Sequence, residues 1–443
     1  MNAQPAHQAW FENVLAQNRS RPVDSTQRWL NQTREAARQR IPQLPIPQRK
    51  QEAWRYTDLS GLYEQMFYMP STPVTALDED DIEHWVYPAG GSYRLVFANG
   101  QCVPALSNIQ SIPHKLKLGS LRAALSTDGK LVTDALMRQH GHEPDVFTEL
   151  NRALLDDGLF IHIPANVELD LPIEVVYLNL SVERETLSQP YALVILEENA
   201  RATLVEHFIS TGASSYFFNG MSQLQLGRHA VLDHYRLQDE SRQAYHLSRV
   251  GLRQAASSTY RGMQIATGGA WSRSDFDVHF DGAHAECELR GINTVGAQQY
   301  SDVHLDIHHA QPACRSRQDF RGIVYGKGRA VFDGRIVVEK DAQKSDAMLS
   351  NKNLLLSEDA EVDTKPQLEI YADDVKCGHG TTVGKIDPAQ IFYLRSRGIS
   401  EAAARRMLCL GFAEQILAQV TDSRLHNFLS RQIAMRLAQE GDA

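Results

Sequence analysis

A chain of 443 residues with 42% hydrophobic and 22% charged residues is too long for one core and too apolar for a disordered segment, so two or three folded domains are expected. Its net charge of −9, with no basic run or stripe, argues against nucleic-acid binding. No apolar run approaches the roughly 20 residues of a bilayer crossing, which excludes a helical membrane span.

The five cysteines, Cys102, Cys287, Cys314, Cys377 and Cys409, are scattered and form no CxxC pair. That argues against a disulfide framework, a zinc finger or a self-contained four-cysteine cluster site. The first twenty residues lack the basic and apolar segments of a secretory leader, so a cytoplasmic protein is expected.

Residues 1–157 read as a mostly helical domain. Asp24, Ser25 and Thr26 offer caps for a helix running through Arg40, with Trp29, Leu30, Ala36 and Ala37 as its apolar positions. The prolines of Ile41 to Pro47 stop it, because each removes a donor and restricts its predecessor. Ser92 to Phe97 reads as a short strand, and helical spacing returns at Leu118–Leu125 and Val146–Leu155.

Residues 158–385 change texture. Short β-branched and aromatic runs alternate with polar residues, as in Phe276 to Phe280, Val303 to Ile307 and Arg335 to Glu339. A similar turn recurs before Ala200, Ala230, Ala270, Ala285 and Ala360, with a variant before Ala330. The spacing is close to multiples of fifteen but breaks between Ala230 and Ala270. Strand–turn units without intervening helices suit a solenoid or β-helix, with a β-sandwich as the competing reading. In such a helix Val303, Leu305 and Ile307 point inward.

Residues 386–443 read as a C-terminal helical domain. Asp387 with Pro388 starts one helix, Gly398 ends it, and Ser400 caps the next. A third runs from about Asp422 to Glu440. The apolar stripes of the last two, which include Leu408, Phe412, Ile416, Leu425, Phe428 and Ile433, must pack on the β region or on a partner.

Few segments carry chemistry. Gly322 to Lys327 and Gly380 to Lys385 are one residue short of P-loop spacing and lack the following hydroxyl, so they read as turns and the chain has no nucleotide site of its own. No GxSxG or HExxH occurs. His304, Asp306 and His308 share one strand face, as do Asp275, Asp277, His279 and Asp281. Such faces suit a solvated surface, or divalent iron as the sharper alternative. The densest local feature is Ala372 to Gly380, in which Cys377 and His379 are two apart and project from the same side of an extended backbone. Lys376 and a protonated His379 would favour the thiolate. Two ligands do not complete a metal site, so other strands or a second protein supply the rest, or else Cys377 is simply a buried structural cysteine.

This segment sits within a series of ordered blocks: Ala342 to Ala347, Asn353 to Ser357, Lys365 to Ile370, Ala372 to Gly380, Gly384 to Asp387, Phe392 to Ile399 and Met407 to Phe412. Upstream lie His309-x-x-Pro312-x-x-x-Ser316-x-Gln318, Val331 to Gly334 and Glu52 to Thr57. Together they closely resemble the SufB/SufD family, and the lysine–cysteine–x–histidine–glycine run is similar to its SufD branch. Gly378 departs from the pattern, where serine is the commoner residue. The resemblance implies a mainly β protein, a right-handed parallel β-helix flanked by N- and C-terminal helical domains. It further implies a non-enzymatic scaffold subunit for iron–sulfur cluster assembly that pairs with SufB through the β-helix and offers its C-terminal helices to the ATPase SufC. Cys377 and His379 would then hold a transient cluster or iron shared with SufB. A homodimer in the absence of SufB, an inert structural partner and a secreted carbohydrate-active β-helix enzyme are the alternatives.

Overall fold

The computed structural model describes residues 4–17, 28–70, 77–88, 90–109, 112–113, 115–138, 145–180 and 184–439. From Gly158 onward, strands alternate between two ten-stranded sheets, except that Thr186–Ser188 and Tyr191–Leu196 are consecutive strands of the same one. Gly158–Ile163, Tyr191–Leu196 and every later strand of one sheet pair in parallel (sheet A), as do the strands that interleave with them in the other (sheet B). The chain therefore winds as a parallel β-solenoid of about 8 turns. Sheet B begins earlier than Gly158, since Tyr93–Ala98 pairs in parallel with Ile173–Leu180. Leu118, expected in a helix, lies instead in the short strand Lys117–Ser120, which runs antiparallel to Leu159–His162; Ser120 then caps the helix Leu121–Thr127.

The corners explain the recurring alanine. Asn199, His229, Ser257, His284, Ala313 and Lys344 all have φ between 55° and 62° and precede successive sheet B strands. Non-glycine residues adopt this left-handed conformation at a cost of roughly 1–2 kcal/mol each. What offsets it is a ladder bond: each of the six donates its N–H to a carbonyl of the next turn, as His284 does to Pro312 at 3.2 Å. The next residue, Ala200, Ala230, Ser258, Ala285, Cys314 or Ser345, is fully buried where the bend leaves room only for a small side chain. Ala270 and Ala360 belong to the opposite corner, half a turn on, so their spacing mixes two series.

Inside the solenoid Phe276, Val278, Phe280, Val303, Leu305 and Ile307 are buried in one continuous core, and their alternation places the intervening polar residues outside. Both outer faces are then covered. On sheet A, Trp10, Phe11, Trp54 and Phe147 from the N-terminal region pack on Phe217, Leu247 and Trp271. Arg249 joins Asp145, the cap of helix Val146–Leu154, to Asp275. Arg273 lies over the Trp54 ring at 4.0 Å and pairs with Asp275 at 2.8 Å and Asp302 at 3.3 Å. Thr57 Oγ1 also donates to Asp302 at 2.8 Å. The acidic face expected to be solvated is thus partly buried: Asp275, Asp277 and Asp302 are covered.

On sheet B, helices Pro388–Ser396, Glu401–Leu417 and Ser423–Gln439 bury Ile391, Ile416, Leu425 and Ile433 against outward-facing Val205, Met263, Ile292 and Ile323. Asp387 and Ser400 cap their helices through the N–H groups of Ala389 and Ala403. Beneath the last helix, Glu174 is completely buried. It accepts from Tyr87 N (2.8 Å), Ser92 Oγ (2.7 Å) and Arg94 Nε (3.0 Å), and His207 Nε2 lies 3.2 Å away. The helix Arg28–Arg40 is present and ends at the expected prolines, while its proposed caps Asp24, Ser25 and Thr26 lie outside the described residues.

Candidate functional site

The solenoid ends on strand Lys376–Lys385, which pairs with Asp346–Leu355 and is the last strand of sheet B. Lys376 donates its N–H to Ser345 O at 2.9 Å. In a parallel ladder alternate residues face opposite neighbours, so Cys377, His379, Thr381 and Val383 turn their N–H and C=O groups away from the solenoid. Their side chains, by contrast, continue the interior columns. Cys377 stands in register with Ala347, Ser316 and Cys287, and His379 with Leu349, Gln318 and Leu289. Both project from the same side, at the open mouth of the β-helix.

Cys377 is half-buried against the core, whereas His379 is exposed. Burial pushes the Cys377 thiol above its ordinary value, with the Ala347 N–H pulling the other way. Lys376 lies on the opposite face of the strand and does not activate it, so in the free chain the thiol stays protonated near neutrality. Gly378 is in mid-strand, not in a turn. A Cβ there would come within 3.2 Å of Met348 Sδ, so a serine would need the flexible end of Met348 to shift by a few tenths of an ångström. On the outer side of sheet B a groove of about 540 Å³ runs beside Gly380, lined by Arg317, Asp319, Met348, Ser350 and Gln415.

Among the described residues, no three His, Cys, Asp or Glu side chains are placed to hold one metal ion. The histidine and acid faces are engaged instead: His304 with Asp302 (2.9 Å), His308 with Glu339 (2.9 Å), His279 with Asp281 (2.8 Å) and Asp306 with Arg335 (3.3 Å). The near-P-loop glycines serve the solenoid, Gly322, Gly380 and Gly384 in strands and Gly326 at a corner with φ 60°. The block His309 to Gln318 is internal as well. His309 Nε2 lies 2.9 Å from Ser316 Oγ, and burial lowers the imidazole to about 4, which keeps it neutral.

Asp277 was seen in the sequence only as one of a row of acids. It is buried in register with Asp306, and its carboxyl is pushed up to about 7, first by burial and then by the Asp306 charge. The unfolded carboxyl releases its proton near 3.8. The folded state is therefore favoured at low pH and loses that advantage as pH rises through about 7. Asp277→Asn is expected to raise stability at pH 8 by about 1–3 kcal/mol and to change little at pH 4. Denaturant midpoints at the two pH values check this; an equal shift at both would contradict it.

The open rung brings two side chains that can ligate a metal, Cys377 and His379, to one side of its mouth. Comparison with known families decides its context: residues 179–412 match the model described as SUF system FeS cluster assembly, SufBD core domain, and residues 6–175 match the SufBD protein N-terminal region. The chain belongs to the SufB/SufD family. It is 32% identical to the iron-sulfur cluster assembly protein SufD of Escherichia coli, over 90% of this chain and 92% of that one. It is also 32% identical to an iron-sulfur cluster assembly SufBD family protein of Synechocystis, over 91% and 90%, and 25% identical to SufD of Bacillus subtilis, over 88% and 90%. Its family role is in iron–sulfur cluster assembly, and its likeness is to the SufD branch. No helix among the described residues is long and apolar enough to cross a membrane.

Proposed function

We propose that this SufD-like chain is a non-enzymatic, cytoplasmic scaffold that pairs end-on with a SufB-type subunit and shares a nascent iron–sulfur cluster with it. The observation that carries this reading is the terminal rung, on which no described strand pairs, where an edge strand presents the outward-facing peptide groups of Cys377, His379, Thr381, Val383 and Lys385. Unpaired edges are normally shielded, and one left open is a template for another strand. Exposed Ile370, Tyr371 and Val383 surround the mouth and favour a buried interface there. Cys377 and His379 would be two ligands of the cluster, which is the complex's product, and the SufB-type subunit would supply the others.

Co-purification of the subunits with anaerobic iron and sulfide analysis tests the reading. Thr381→Pro removes one outward N–H while sparing the ladder to Asp346–Leu355. It is expected to abolish SufB pairing without unfolding the chain; full-yield pairing would sink the end-on arrangement. Exclusive self-association of the wild-type chain in the presence of SufB would favour the homodimer instead.

An ATPase of the SufC type docks, in this reading, on the C-terminal helices. The apolar stripes of the last two helices are occupied by sheet B. Of the large apolar side chains these helices leave exposed, which include Met407 and Met435, the most open are Phe392, 75% exposed, and Tyr393, 55% exposed, on helix Pro388–Ser396. Replacing both by alanine is expected to weaken ATPase binding by roughly tenfold or more, as loss of exposed aromatic anchors does, with SufB pairing retained. A titration of the ATPase that gives the wild-type affinity would move the contact elsewhere.

A further inference from the structure

Two histidines on the outer face of sheet A have no part in the mouth or in the N-terminal cover. His279 and His308 lie on strands Trp271–Phe280 and Tyr300–His309, directly in register on adjacent turns. Their ring centroids are 4.7 Å apart, with the rings inclined at 54°. The cover reaches Trp271, Arg273 and Asp302, but these two side chains stay partly open, 23% and 30% exposed.

Each ring is held through one nitrogen only. His279 Nδ1 lies 2.8 Å from Asp281 Oδ1, and His308 Nε2 lies 2.9 Å from Glu339 Oε1. Asp281 directly follows strand Trp271–Phe280, and Glu339 directly follows strand Arg329–Val338. An ionised carboxylate only accepts, so in each neutral ring the proton sits on the bonded nitrogen. The lone pairs are then on His279 Nε2 and His308 Nδ1, which have no partner among the described residues. A carboxylate behind an imidazole fixes its tautomer and raises its basicity, as it does behind a metal-bound histidine. Rings at this spacing can each place a nitrogen on one ion, whose bonds to imidazole are about 2.0–2.1 Å long. The local charge also favours a cation. Asp281, Glu339, Asp306 and Glu369 outnumber Arg253 and Arg335, the cations paired with three of them.

We infer that His279 and His308 form a separate metal site on sheet A, for a divalent first-row ion that accepts imidazole, such as Zn²⁺, with water in the remaining positions. Two protein ligands make a site of modest affinity, and among the described residues no third His, Cys, Asp or Glu is placed to join them. The ion would tie two consecutive turns of the solenoid together, so that its binding stabilises the folded chain. The site shares no residue with the mouth and does not depend on the end-on pairing.

Calorimetric titration of Zn²⁺ into the full chain tests this, with the protein stripped by chelator and carrying Cys377→Ser and His379→Ala to silence the mouth. About one equivalent is expected to bind, and the unfolding midpoint is expected to rise with Zn²⁺. His279→Gln and His308→Gln, each added singly, should weaken binding about tenfold or more and remove that rise. Their midpoints without Zn²⁺ should match the parent, since both side chains are partly exposed surface groups. Asp281→Asn, which would not touch the ion, should weaken binding about tenfold through His279. His304→Gln, on the same face but paired with Asp302, should stay within about twofold. Unchanged affinity in both histidine variants, or loss in only one of them, would mean an adventitious ion only and overturn the inference. Absence of binding at millimolar Zn²⁺ would overturn it as well.

Discussion

His379→Ala is expected to lower the cluster content of the anaerobically reconstituted complex by roughly tenfold, the scale on which groups around a metal act, with the complex still assembled. His379 is exposed on the final strand, so its loss leaves no cavity and breaks no core contact. Cys377, by contrast, is half-buried against the core, and its thiol is held protonated by burial in the free chain. A neutral imidazole needs no such deprotonation to bind iron and is the readier ligand before the second subunit arrives. Cys377→Ser should therefore give the milder defect, and a double variant should resemble His379→Ala. Visible absorbance and iron content per complex are the readouts. Wild-type cluster content in His379→Ala would remove the imidazole from the site and leave a purely structural role.

The largest stability effect is expected at Glu174, far from the mouth. Its carboxylate compensates the buried Arg94 and gathers the Tyr87 N–H, the Ser92 hydroxyl and His207 beneath the C-terminal helices. Glu174→Ala leaves the buried Arg94 guanidinium with only the exposed Glu79, 4.0 Å away, as counter-charge, which costs about 3–5 kcal/mol. Burial alone would raise the Glu174 carboxyl, but His207, Ser92 and the Tyr87 N–H outweigh it and hold the group below its ordinary 4.5. A depressed carboxyl stabilises the fold above that value, and the contribution is lost as pH falls through the lower folded value. Denaturation midpoints should thus fall strongly for Glu174→Ala at pH 7, and the gap should close on acidification. A gap that persists unchanged at pH 3 would contradict the assignment.

Much of this architecture was legible because a solenoid repeats one local rule. Val303, Leu305 and Ile307 alternate with His304, Asp306 and His308, and that period of two alone assigns the inside. The alanine turns were visible, but their spacing was not interpretable until two corners, half a turn apart, could be told from each other. Covering segments were not legible, since they come from distant sequence. Nothing near Asp275 or Asp302 announces that Trp54 and Thr57 will close over them. For the same reason the helix stripes around Ile416 and Ile433 gave no sign of whether sheet B or a partner would bury them. At the mouth, the shared side of Cys377 and His379 followed from strand geometry, whereas the raised thiol of Cys377 and the Gly378–Met348 contact depend on the neighbouring strand.

The reach of the N-terminal region across sheet A has a consequence during synthesis. Thr57 meets Asp302 across 245 residues, and Glu52 meets Lys365 across 313. At roughly 5–20 residues per second these partners leave the ribosome roughly 12–60 s after the segment that needs them. Trp10, Phe11 and Trp54 likewise lack the sheet surface that buries them until Phe217, Leu247 and Trp271 have been made. Nascent chains halted before Phe217 should bind chaperones and be cut by protease within the first sixty residues, whereas chains released beyond Lys365 should resist cleavage there.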